Sequence, residues 1–235
     1  MTRDQVKVLL LAGSGRSGST VLANLLGSVD GAFSGGEIRY LWERGLRDDR
    51  LCGCGEPFGR CGLWTAVLDE AVGGAGGVDV ERLIATSRRG SRIRHLPLML
   101  LGQERRLVGR LDDYPARVAD LYRAIATVTG CSLVIDSSKL PGYGYLLDRL
   151  DGIDLRVLHL VRDPRAAAYS WGRQKPLRDG AASATMEQQS PAKSAVLWSV
   201  WNAAAAALWS GAPERYLRLG YEEFVDRPRT SVARI

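Results

Sequence analysis

The chain has 235 residues, 46% hydrophobic and 25% charged, with a formal net charge of +6. That length supports one sizeable core and is short for two domains, and the composition excludes a disordered or fibrous chain. No apolar run approaches the roughly 20 residues needed to span a bilayer. The first apolar run is too short for a signal peptide and leads straight into a polar loop, so a cytoplasmic protein is expected. The positive charge suits an anionic ligand, although nucleic acid or a membrane surface would suit it equally.

In chain order, residues 6–12 (Val-Lys-Val-Leu-Leu-Leu-Ala) read as a buried strand. Gly13-Ser14-Gly15-Arg16-Ser17-Gly18-Ser19-Thr20 follows as a small-residue loop, and Val21, Leu22, Leu25, Leu26 and Val29 then fall at helical spacing. Strand, loop and helix start together make an anion cradle. Glycines let the backbone N–H groups turn inward, and the helix start favours negative charge. Ser19 and Thr20 are placed to cap the helix or bond the anion, and Arg16 supplies a planar cation.

Residues 31–36 form a short extended segment, and residues 37–44 a helical turn or two. A loop rich in Gly and Cys covers 45–62. Residues 63–72 and 79–89 look helical across a glycine hinge. Residues 91–111 carry many arginines and read as a mobile cap over an acceptor site. Residues 114–129 form an amphipathic helix stopped by Gly130. Strands follow at 132–136, 155–161 and 216–219, with helices up to 150, at 164–174, at 191–210 and from Tyr221 onward. Alternating strands and helices imply an α/β fold, a central parallel sheet flanked by helices. Ligands of such sheets bind beyond the carboxyl ends of the strands, and each residue singled out below lies just after such an end.

The loop nearly fits the G-x-x-x-x-G-K-[ST] pattern that cradles nucleotide phosphates, but Ser19 stands where the lysine belongs. The cation sits three residues earlier, at Arg16. In this the segment Gly15-Arg16-Ser17-Gly18-Ser19-Thr20 resembles the 5′-phosphosulfate loop of sulfotransferases that use 3′-phosphoadenosine 5′-phosphosulfate (PAPS). The second motif, Leu160-Val161-Arg162-Asp163-Pro164, sets an arginine at a strand end and Ser170 eight residues later. It resembles the same family's 3′-phosphate motif in both residues and their spacing. The resemblance implies a P-loop-like three-layer fold and a single sulfotransferase domain. Residues 45–111 would be an insertion on the acceptor side, and the chain ends near Ile235, where relatives usually continue.

By this resemblance, Ser14, Gly15, Arg16, Ser17, Gly18, Ser19 and Thr20 bind the phosphosulfate, Arg162 and Ser170 bind the 3′-phosphate, and Tyr221 lines the nucleotide pocket. Glu37, 21 residues after Arg16 in a Gly-Gly-Glu context, matches the catalytic glutamate of the tyrosylprotein-type and several bacterial relatives. Its role is to take the proton of an acceptor hydroxyl; Glu43 is the fallback. Lys139 resembles a lysine that steadies the leaving oxygen. The implied acceptor is a small molecule, lipid or carbohydrate bearing a hydroxyl, with no nucleic-acid partner and no metal in the transfer. The rival readings are a nucleotide kinase or NTPase, favoured by Asp136 after a hydrophobic strand, and a non-catalytic basic binding protein. Cys52, Cys54 and Cys61 are read as free or exchanging thiols, with a disulfide or a metal as alternatives. His159, on an apolar strand, is expected to be a packed core residue.

Overall fold

The computed structural model describes residues 5–103, 111–177, 179–180 and 185–235. Five strands, β1 (Val6–Ala12), β2 (Ala32–Ser34), β3 (Leu133–Lys139), β4 (Ile153–Val161) and β5 (Tyr216–Gly220), form one sheet in the order β2-β3-β1-β4-β5. Every pairing is parallel. A parallel sheet needs crossovers, and these lay helices on both faces, so the central strand must be apolar on both sides. β1 shows this residue by residue. Val8, Leu10 and Ala12 enter one core and Leu9 and Leu11 the other.

The larger core is covered by α2 (Gly62–Val72), α3 (Val80–Gly90), α5 (Tyr114–Thr129), α6 (Pro141–Leu147) and α8 (Pro191–Trp209). A short α4 (Leu96–Leu100) lies between α3 and α5. The opposite core takes Leu22, Ala23 and Leu26 of α1 (Ser19–Leu26) and Phe224 of α9 (Tyr221–Asp226). Two further α-helices among the described residues are α7 (Pro164–Gly172) and α10 (Pro228–Ala233). Part of the expected insertion is core. Trp64, Val67, Leu68, Leu83 and Ile84 of α2 and α3 are buried with Val118, Leu121 and Ile125 of α5. Of the expected cap, residues 104–110 lie outside the described residues.

Two elements differ from the sequence reading in ways that shape the site. β3 runs three residues further than expected, through Ser137 and Ser138 to Lys139, and its register against β1 shifts between Leu10 and Ala12. Residues 37–44, read as a helical turn or two, become a 3₁₀ turn (Ile38–Tyr40) running into a π-helix (Leu41–Arg47), with Asp48 N–H donating to Glu43 O across five residues. The wider winding carries Arg44 back over the Tyr40 ring at 4.0 Å and onto Glu37. π-bulges of this kind concentrate at functional sites.

Candidate active site

Beyond the carboxyl ends of β1, β3 and β4 lies a cavity of about 960 Å³, at the upper end of the range for small-molecule sites. The loop after β1 forms its floor. Gly18 precedes α1 with φ 87°, and no side chain caps the helix. Among the described residues, the N–H groups of residues 14–20 donate to no backbone carbonyl. The loop is closely packed. A Cβ on Gly15 would stand 2.5 Å from the Trp171 ring, and one on Gly18 would stand 2.2 Å from Tyr221. The glycines are therefore sterically required, which a plain surface turn would not need.

Arg16 takes a left-handed backbone (φ 64°), as does Lys139 (φ 67°). Each costs of order 1 kcal/mol or more for a residue with a side chain, and such strain collects at ligand sites. The Arg16 guanidinium lies 4.6 Å from the Trp171 ring and donates through Nη1 to Met186 Sδ at 3.2 Å. Its Nε and Nη2 are buried without a partner among the described residues, as are Arg162 Nε, Ser14 Oγ and Ser17 Oγ. Arg162 follows β4, donates from Nη1 to Arg16 O at 3.0 Å and stacks 4.6 Å from Tyr221. The two arginines are thus held by rings and backbone, with donors left over.

Charge in the cavity is unbalanced. Among the described residues, seven cations line it (Arg16, Arg44, Arg50, Lys139, Arg162, Lys175, Lys193) against four carboxylates. Four of these cations are paired with the carboxylates, Lys139 and Arg44 with Glu37, Arg50 with Asp179 and Lys193 with Glu187, while Glu43 is engaged by Arg88 from outside the lining. Arg16, Arg162 and Lys175 form no salt bridge among the described residues. Burial, and then the like charges of Arg16, Arg173 and Arg162, push the Lys175 ammonium below its usual value. Burial likewise lowers Arg16, with Glu37 working against it. Three cations with no acidic partner among the described residues, beside a helix start, suit a negatively charged group.

Glu37 lies just after β2, across the cavity from the loop. Its Oε1 accepts from Lys139 Nζ and its Oε2 from Arg44 Nη1, the latter at 2.5 Å. Burial works to raise its pKa, but Lys139 and Arg44 outweigh burial, so the carboxyl titrates below the ordinary glutamate range. Lys139 also donates to Ser137 O at 2.8 Å. On α7, Ser170 is buried and lines the cavity, and Lys175 Nζ donates to its Oγ at 3.3 Å. The Asp163 side chain caps that helix through the N–H groups of Arg165 and Ala166.

Of the residues singled out from sequence, Ser14, Gly15, Arg16, Gly18, Ser19, Thr20, Glu37, Lys139, Arg162 and Ser170 line this one cavity. Ser17 and Tyr221 stand behind it. Ser17 is 1% exposed, and Tyr221 supports Gly18 and Arg162 rather than facing the lumen. Glu43 lines the cavity but is engaged by Arg88 and Arg47. Sequence reasoning missed Arg44, Trp171, Lys175 and Lys193. One signal was available: the chain has only four lysines, and three of them are here.

Asp136, on which the kinase reading leaned, is spent inside the fold. It is 0% exposed and accepts from Tyr122 Oη (2.5 Å), Ser138 N (2.7 Å) and Ser138 Oγ (2.5 Å). Burial raises its pKa. His159 is also a core residue. Asn202 Nδ2 donates to Trp198 O, so Asn202 Oδ1 must accept from His159 Nε2 (2.8 Å), and Nδ1 accepts from Tyr216 Oη (2.7 Å). Burial lowers the His159 pKa, in keeping with this neutral tautomer.

No protein-family model matches the chain, and no curated protein matches it. Among solved structures it is similar to a sulfotransferase domain from the curacin biosynthetic pathway, with 19% identity and a TM-score of 0.53 over 100% of this chain and 73% of that one. The fold, a five-stranded parallel sheet flanked by helices, is therefore of the sulfotransferase kind. Among the described residues, no helix is long and apolar enough to cross a membrane.

Proposed function

We propose that the chain is a sulfotransferase that moves a sulfuryl group from PAPS to the hydroxyl of a small-molecule, lipid or carbohydrate acceptor. The observation that carries this reading is the pair of half-buried arginines, Arg16 and Arg162, which keep nitrogens shielded from solvent and without a partner among the described residues, beside a helix start. They fit a donor carrying two separate anionic groups. The absence of a lysine at position 19 and the internal pairing of Asp136 tell against the phosphoryl-transfer reading.

PAPS supplies a sulfuryl group already activated on a phosphate leaving group. The N–H groups of residues 14–20 and Arg16 hold the anionic oxygens where charge grows during transfer, the form of stabilisation that costs no reorganisation. Arg162 and Ser170 hold the 3′-phosphate, with Lys175 beside them. Glu37 takes the acceptor's proton at a carboxylate oxygen. Its lowered pKa makes it a weak base, so the proton moves late. Lys139 exchanges Glu37 for the leaving oxygen, which frees the base as the nucleotide departs. No metal takes part.

Calorimetric titration in EDTA with adenosine 3′,5′-bisphosphate tests this. Binding is expected, and Arg162→Ala should abolish it. Magnesium-dependent binding of ATP in its place would overturn the proposal.

A further inference from the structure

Outside this cavity, the loop before α2 gathers three thiols. Cys61 Sγ lies 3.5 Å from Cys52 Sγ and 3.7 Å from Cys54 Sγ, and all three sulfurs fall within 4.8 Å of one another. A disulfide needs about 2.05 Å, so none of these pairs is bonded. A tetrahedral zinc ion with Zn–S bonds of about 2.3 Å sets its sulfurs about 3.8 Å apart. The observed spacing is close to that.

The backbone is shaped to hold the thiols there. An isolated bridge between Leu51 and Pro57 closes the base of the loop. Inside it, Cys52 N–H donates to Glu56 O (2.8 Å) and Gly55 N–H to Cys52 O (2.9 Å). Gly55, at φ 91°, completes the reversal that returns Glu56 to Cys52 and leaves Cys54 within the turn. The third thiol comes from Cys61, which precedes α2 and makes no capping hydrogen bond with its side chain. Cys61 is buried and Cys54 exposed, so the cluster opens on one side to solvent.

We propose that Cys52, Cys54 and Cys61 bind one soft divalent cation, zinc, as thiolates, with water in the fourth position and one proton released from each thiol. Among the described residues, no His, Asp or Glu joins the three cysteines, so water completes the tetrahedron, in contrast to the four protein ligands of most structural zinc sites. The ion is structural. None of the three cysteines lines the large cavity, but Arg50 does. Arg50 O accepts from Phe58 N–H at 3.0 Å, and Phe58 stacks on Trp64 with ring centres 5.6 Å apart. Zinc clips the loop that joins a cavity wall to the core. This proposal stands independently of sulfuryl transfer.

The test is a cobalt titration of the full chain, reduced and stripped with EDTA. One equivalent of Co²⁺ should give a thiolate charge-transfer band and the intense visible bands of a tetrahedral site, and Zn²⁺ should displace it. Cys61→Ser should weaken binding at least about tenfold, while Cys131→Ser leaves it unchanged. Because Cys61 is buried and its variant risks misfolding, a second readout uses the wild-type chain. One equivalent of Zn²⁺ should protect Cys52, Cys54 and Cys61, but not Cys131, from iodoacetamide, as read by peptide mass spectrometry. Absence of the charge-transfer band, or labelling that zinc does not change, overturns the proposal.

Discussion

Two kinds of buried polar group sit within this sheet, and they differ in how their hydrogen bonds are used. Asp136 and His159 are closed systems. Tyr122 and Ser138 satisfy the first, and Tyr216 and Asn202 satisfy the second. Ser14 and Ser17 are buried and Arg16 and Arg162 half-buried, and all four are open: both hydroxyls, Arg16 Nε and Nη2, and Arg162 Nε are shielded from solvent and meet no partner among the described residues. Leaving a buried donor unmade costs about 1–3 kcal/mol, and more when it is charged. A fold tolerates that cost where a ligand repays it. On the function proposed above, the closed clusters serve stability and the open ones binding, although all of them lie near the same strand ends.

Substitutions can break this contrast, and the largest effect is expected at the open end. Removing one preorganised donor of developing charge costs about 2.7–4 kcal/mol in barrier, so Arg16→Ala should lower turnover at least a hundredfold. Its unfolding midpoint should change little. Near-wild-type turnover would remove Arg16 from the mechanism. Glu37→Gln should lower kcat by about a hundredfold or more, and it carries a pH signature. The folded-state pKa of Glu37 lies below its unfolded value. The stability of its ion pairs is therefore present above about pH 4.3 and is lost as the pH falls through the folded value. The difference in Tm between wild type and Glu37→Gln should be full at pH 7 and shrink below pH 4. A difference that grows on acidification would contradict the pairing with Lys139 and Arg44.

The closed clusters should respond the other way. Asp136→Asn leaves Tyr122 or Ser138 short of an acceptor and should cost about 2 kcal/mol of stability in urea unfolding. Adenosine 3′,5′-bisphosphate affinity should stay within about threefold, because Asp136 does not face the cavity. The smallest effect is expected for Tyr216→Phe, which deletes one neutral hydrogen bond worth about 1 kcal/mol. His159 cannot answer by changing tautomer, because Asn202 is oriented by Trp198 O. A variant of either residue that lost ligand binding while remaining stable would dissolve the distinction.

Local chemistry made much of this legible before any coordinates. The β1 run, the Gly-Ser loop and the Arg162–Ser170 spacing are each short-range patterns, and each fixes its own local structure. Hence Arg16, Arg162 and Ser170 could be named, and all three line one cavity. The parallel sheet followed from alternating periods for the same reason. Tyr221 was placed in the pocket when it supports the pocket from behind, because a motif gives a residue's neighbourhood but not the direction of its side chain.

The sequence by itself determined the small-residue loop between a strand and a helix and the α/β alternation, since each rests on residues within about one strand, turn or helix of one another; Glu37 as candidate base came from the family resemblance. Only the tertiary structure decided which charges stay free. The pairing of Glu37 with Lys139 spans 102 residues. It depends on the register shift between β1 and β3 and on the left-handed backbone at Lys139. Arg44 reaches Glu37 through a π-helical winding that a 3.6-residue period does not predict. Three thiols up to nine residues apart meet because a glycine turn and a helix start are packed together. Hydrogen bonding and charge balance are properties of the assembled core, where a partner distant in sequence is as near as an adjacent one.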